Sequence, residues 1–230
     1  MTRRDDYRAK LRAHAVRQWP TYLRQNSGLP GPRANLELAQ AAAEEGDRDC
    51  FDGLIATDDE YLVLCGVVGL GRLMAEGADV ERQLLGHACD LRWRVREGVA
   101  MALQRLGDAD LPRLIGLVRV WSVQENPLVQ RAAIAAICEP RLLKTPASVE
   151  CALTACTRAT EALVARTADE RQDPAARTLR QALGYCWSVA VAADPATGLP
   201  IFRALAKSTD PDVAWIVREN SRKARLAKLL

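Results

Sequence analysis

The residues able to do chemistry in this chain are few, and their spacing excludes most catalytic arrangements. Only two histidines occur, His14 and His87, and neither stands near a cysteine or carboxylate at ligand spacing. His87-x-Cys89 offers two ligands where zinc takes four, or three plus a water. Cys151 and Cys156 do not form a CxxC pair. The run GVVGLG at 66–71 falls inside a helical stretch and lacks the preceding strand that a dinucleotide site needs, so it reads as a place where two helices approach closely. There is no Gly-x-Ser-x-Gly elbow and no zinc-protease helix. The expectation is a chain with no metal and no cofactor. What does recur is one spacing, Trp93, Val95, Arg96, Glu97 and again Trp215, Val217, Arg218, Glu219. Arg supplies a planar fork for carboxylate or phosphate, and Trp a flat apolar face that also attracts cations. That is binding chemistry, enriched where proteins meet partners.

The elements that position these residues are helices. Apolar residues make up 49% of the chain and charged ones 27%, which predicts a packed globular protein and not a disordered one. No charge-free apolar run reaches the ~18 residues of a membrane span, and MTRRDDYRAK lacks the apolar core of a secretion signal. The seven cysteines (50, 65, 89, 138, 151, 156 and 186) sit in apolar helical runs and read as small buried hydrophobes of a cytoplasmic protein. Charge is uneven: residues 1–24 carry a net +5 and residues 215–230 a net +4, against +3 for the whole, so the middle is acidic.

Helices are predicted at roughly 3–24 (bent near Pro20), 33–45, 48–56, 59–75, 79–89, 92–106, 110–122, 127–143, 146–167, 174–192, 197–207 and 211–228. Asp58, Asp90, Asn126, Asp173 and Asp210 stand where N-caps belong, and Gly46, Gly77 and Gly107 where helices stop. The fold class is all-α, with short loops that pair neighbouring helices antiparallel.

The pairs repeat. Val63-Leu64, Val95-Arg96, Val129-Gln130, Leu179-Arg180 and Val217-Arg218 recur at spacings of 32, 34, 50 and 38 residues, near the length of helical-hairpin repeats. DLRWRVREGVAMALQRLGD and DPDVAWIVRENSRKARL share Trp, Val, Arg and Glu at equal offsets, and DDEYLVLCGVVGLGRL and ENPLVQRAAIAAIC keep the apolar spacing. These segments resemble the HEAT-repeat family, armadillo-type α-solenoids, whose second helix opens with an Asp-x-x-Val-Arg pattern. The resemblance implies an α-α superhelix of about six antiparallel pairs over residues 1–230. Residues 1–32 would cap it and 33–230 would hold the repeats, the unit at 146–192 being longer than the others.

In the best repeat Val95, Val99, Ala102, Leu103 and Leu106 form the core stripe, which turns Trp93, Arg96, Glu97, Ala100 and Gln104 to a second face. The resembled family points that face into its concave side. Equal offsets then give a row of Tyr61, Leu64 and Cys65; Trp93, Arg96 and Glu97; Pro127, Gln130 and Arg131; Arg177, Arg180 and Gln181; Trp215, Arg218 and Glu219. The binding candidates in it are Trp93, Arg96, Glu97, Gln130, Arg131, Arg177, Arg180, Trp215, Arg218 and Glu219. Two roles stay open for the arginines: a ladder with Asp90, Glu97, Asp212 and Glu219 that ties repeats together, or a surface that reads a ligand. The expected function is a non-enzymatic interaction module, a scaffold holding a protein partner. The alternative is a DNA binder or DNA-alkylation-repair protein similar to the HEAT-like-repeat alkylpurine DNA glycosylases, with Glu97 as the catalytic carboxylate.

Overall fold

The computed structural model describes residues 2–230, and these form fourteen α-helices and two 3-10 turns with no strand. The chain is all-α and divides into two compact units, Met1–Ala109 and Asp110–Leu230.

The first unit holds α1 (Arg3–Ala13), α2 (Trp19–Gln25), α3 (Leu36–Glu45), α4 (Arg48–Ile55), α5 (Glu60–Ala75), α6 (Glu81–Ala88) and α7 (Trp93–Ala109). Helices α1, α3, α5 and α7 pack side by side in chain order, α4 and α6 lie against α5 and α7, and α2 closes on α5. Helix α5 is buried almost all round. Small residues make that burial sterically workable. A Cβ on Gly71 would stand 2.4 Å from the Ala102 Cα, so α5 and α7 approach backbone to backbone there. The core stripe of α7 lies as the apolar spacing predicts, with Val95, Val99, Ala102, Leu103 and Leu106 all buried. Arg72 closes the end of α3, donating from Nη1 to the Glu44 carbonyl at 2.8 Å and from Nη2 to the Gly46 carbonyl at 2.5 Å. A cation there also meets the negative end of the helix dipole.

The second unit holds α8 (Leu111–Trp121), α9 (Pro127–Ile137), α10 (Pro146–Val164), α11 (Pro174–Ala193), α12 (Pro195–Leu205), α13 (Pro211–Ser221) and α14 (Ala224–Ala227). Helices α9, α11 and α13 adjoin one another, α8 and α10 pack on α9, and α12 packs on α11. The shared grammar is packing between neighbours in chain order, as in an α-helical repeat. Trp121 and Trp187 are core residues, each 1% exposed, and the Trp187 indole donates to Thr160 Oγ1 at 3.1 Å. Asn220 is fully buried and spans two helices. Its Oδ1 accepts from the Ser188 N–H at 2.7 Å, and its Nδ2 donates to the Leu183 carbonyl at 2.8 Å and the Ile216 carbonyl at 2.7 Å.

Several boundaries differ from the sequence expectations. The first helix breaks at His14, which is extended, and Pro20 sits in the first turn of α2, where its missing N–H costs nothing. The helix expected over 127–143 ends at Ile137, because Pro140 disfavours helix in Glu139 before it. The last expected helix divides after Ser221 into α13 and α14. Gly107 stops nothing, since α7 runs through it to Ala109. The cap of α5 is Asp59 and not Asp58, which takes a left-handed φ of 57°. Asp173 precedes α11 without a side-chain cap bond. Cys50, Cys65, Cys138, Cys151, Cys156 and Cys186 are buried and Cys89 half-buried, and none of the seven is in a disulfide.

Candidate interaction site

The candidate residues group by unit, and the first unit gathers the richer surroundings. Trp93 opens α7 and is 51% exposed, and Leu91, two residues earlier, is 97% exposed. The turn that presents them is clamped. Arg92 donates from Nε to Asp90 Oδ1 at 2.9 Å and from Nη2 to Asp90 Oδ2 at 2.7 Å, a bidentate pair. Its Nη1 reaches the Asp58 carbonyl at 2.7 Å and Asp58 Oδ1 at 2.6 Å. Arg96 then donates from Nη1 to the carbonyls of Asp90 at 2.6 Å and Leu91 at 2.8 Å. Hydrogen bonding from Arg92 holds the Asp90 carboxyl below the usual carboxylate range. Arg96 is thus a brace for the turn, and Glu97 is half-buried beside it on α7.

A cleft of about 480 Å³ opens next to this turn, lined by Arg24, Ser27, Leu29, Pro30, Asp59, Glu60, Tyr61, Trp93 and Arg94. One wall is the segment between α2 and α3. Ser27 Oγ accepts from the Leu29 N–H at 3.0 Å, the Ser27 carbonyl accepts from the Asn35 N–H at 2.7 Å, and Gly28 takes a φ of +77° that only glycine holds cheaply. The other wall is the start of α5. There Asp59 caps the Tyr61 and Leu62 N–H groups through Oδ1 while its Oδ2 faces Arg24 Nε at 3.0 Å. Tyr61 is buried and donates to the Asn35 carbonyl at 2.6 Å. The Arg94 guanidinium lies 4.4 Å from the centroid of the Trp93 ring. Arg94 and the Ser27–Pro30 wall were absent from the sequence candidates. Glycine and proline density in NSGLPGPRAN was the one signal that could have raised the wall.

In the second unit two half-buried arginines, Arg171 and Arg180, are held by carboxylates at the start of α13. Arg180 Nε lies 3.0 Å from Asp212 Oδ1, and its guanidinium covers the Trp215 ring at 4.3 Å. Arg171 pairs with Asp210 at 2.6 Å and Asp212 at 3.3 Å and also donates to the carbonyls of Arg166 and Val164. It ties the charged connector of the long repeat to the start of α13. Arg180 with Asp212 is therefore a ladder rung. Trp215 also packs over Gly184, where a Cβ would stand 2.8 Å from the ring. Arg177 is exposed and bonds Gln172, Arg218 lies 3.8 Å from Glu219, and Arg131 is half-buried.

Four positions of the expected row are interior. Gln130 is 2% exposed and spends its Nε2 on the Gln124 carbonyl at 2.6 Å, and Tyr61, Leu64 and Cys65 are buried. Ala100 is likewise buried, on α7, which packs against both α5 and α6. Among the described residues no group of His, Cys, Asp and Glu is arranged to hold a metal, and no helix is long and apolar enough to cross a membrane. No family model matches the chain, and neither a curated protein nor a solved structure does.

Proposed function

We propose that the chain is a helical-repeat interaction module of HEAT type, and that the first unit docks a protein partner on the Leu91–Trp93 turn and the cleft beside it. One observation carries this: two large apolar side chains are held out to solvent by a turn that two arginines fix in place. An exposed apolar pair on a loose loop would fold back or fluctuate. On a clamped turn the ordering cost is met before binding, which favours association. Trp with neighbouring Arg is also the composition of energetic centres in protein interfaces.

A protein suits this site better than a nucleic acid. The first unit carries 15 Lys and Arg against 17 Asp and Glu, a net of −2. Asp58, Asp59 and Glu60 stand at or near the cleft, where a phosphate backbone would meet them. Glu97, the carboxylate of the DNA-repair alternative, is not among the residues that line it.

The test is capture of partners by cross-linking to the full chain, compared with a Leu91→Ser, Trp93→Ser variant of unchanged helical circular dichroism. Loss of most of the captured protein is the expected outcome. Equal capture by both chains would end the proposal.

A further inference from the structure

The first unit buries a cation that its own structure leaves short of acceptors. The Arg94 side chain is only 8% exposed. A guanidinium carries five N–H donors. Among the described residues those of Arg94 meet the Gly31 carbonyl at a long 3.4 Å, and its Nε stands 3.9 Å from Glu60 Oε2. The side chain of Arg92, two residues away and more exposed, makes four bonds of 2.6 to 2.9 Å to Asp90 and Asp58. Arg94 is nearly buried, yet it walls the open cleft and none of its nitrogens is both enclosed and without a partner, so the donors left over reach into that space. Its guanidinium lies on the Trp93 ring, and Leu29 and Pro30 line the same space.

We propose that this cleft receives a carboxylate from the partner protein, an acidic side chain flanked by apolar ones. Arg94 takes the carboxylate through its under-used donors, and Trp93, Leu29 and Pro30 take the apolar flank. The inference rests on the docking role proposed above for the same face. A carboxylate matches the planar fork of a guanidinium in two parallel bonds. It also brings a single charge past Asp59 and Glu60, whereas a nucleic acid brings one with every nucleotide. Arg24, already held by Asp59 at 3.0 Å, adds a second positive edge to the cleft.

The experiment titrates the full chain with acetyl-Leu-Glu-Leu-amide, with its Gln counterpart, and with a short oligothymidylate, following the Trp93 indole signal by nitrogen-15 NMR. The Glu peptide should shift that signal, and the Gln peptide should bind about tenfold more weakly, as expected for loss of a charge-assisted bidentate pair. Arg94→Met should remove the Glu-over-Gln preference without lowering the melting temperature, since no short bond is lost, and Arg94→Lys should restore part of the preference. Equal binding of the two peptides, a preference unmoved by Arg94→Met, or stronger binding of the oligothymidylate would overturn the inference. So would a drop in melting temperature on Arg94→Met as large as that of Arg92→Met, because Arg94 would then be structural. A failed peptide preference with capture still dependent on Leu91 and Trp93 would sink this inference alone.

Discussion

Gly71 and Gly116 both lie in helices, in opposite surroundings. Gly71 faces the Ala102 backbone at 2.4 Å, while Gly116 is exposed on α8 with nothing within 4 Å of an added Cβ. Gly71→Ala must therefore push α5 from α7, and overpacking of this kind costs about 1–3 kcal/mol. Gly116→Ala gains helix propensity, about 0.8–1.0 kcal/mol, and should raise the melting temperature by about 2–4 °C. Thermal melts of the two variants should shift in opposite directions. The same contrast explains what the sequence showed at this scale. Val95, Val99 and Leu103 were legible because burial follows helical period. Arg94 was not legible, since it neighbours Val95 at the edge of the core stripe, where period does not decide between solvent and interior. Only the Ser27–Pro30 wall, distant in sequence, puts it inside.

At the scale of elements, starts and stops were both legible in part: Gly46 ends α3 as expected, while Gly107 stops nothing and neither Asp58 nor Asp173 makes a cap bond. Asn126 and Asp210 cap as expected, because a cap is a local bond to the next turn. The break at His14 and the end at Ile137 follow from chain path, and no single residue type announces them. Nor does composition announce Asn220, one polar residue in an Arg- and Lys-rich tail that proves to bridge α11 and α13. Its side chain meets backbone groups at Leu183 and Ser188, in the interior of α11. Asn220→Ala removes three buried hydrogen bonds that the helical ladder does not supply, at about 0.5–1.5 kcal/mol for each. Denaturant unfolding should show a loss of at least about 2 kcal/mol, and a loss under 0.5 kcal/mol would mean that water takes the place of the side chain.

For the molecule as a whole, the repeat spacing announced an all-α chain whose helices pack in order, because each repeat is a local unit that must bury one face on the next. The division after Ala109 was not announced, since the Val-Arg steps continue across it at 34 residues, close to the 32 before it. The second unit carries 17 Lys and Arg against 12 Asp and Glu, so the two units differ in charge as well. The distribution of sulfur across them has a practical outcome. Cys50 and Cys65 are buried in the first unit, and Cys138, Cys151, Cys156 and Cys186 in the second, while Cys89 alone is half-buried. Burial raises the Cys89 thiol too, but it pushes those of Cys50 and Cys151 up to about 11, so few of these are in the reactive thiolate form at neutral pH. A thiol-modifying reagent should therefore mark Cys89 first. Peptide mass mapping of the remaining six against time would then act as an internal stopwatch, recording which half of the chain opens first under mild denaturant.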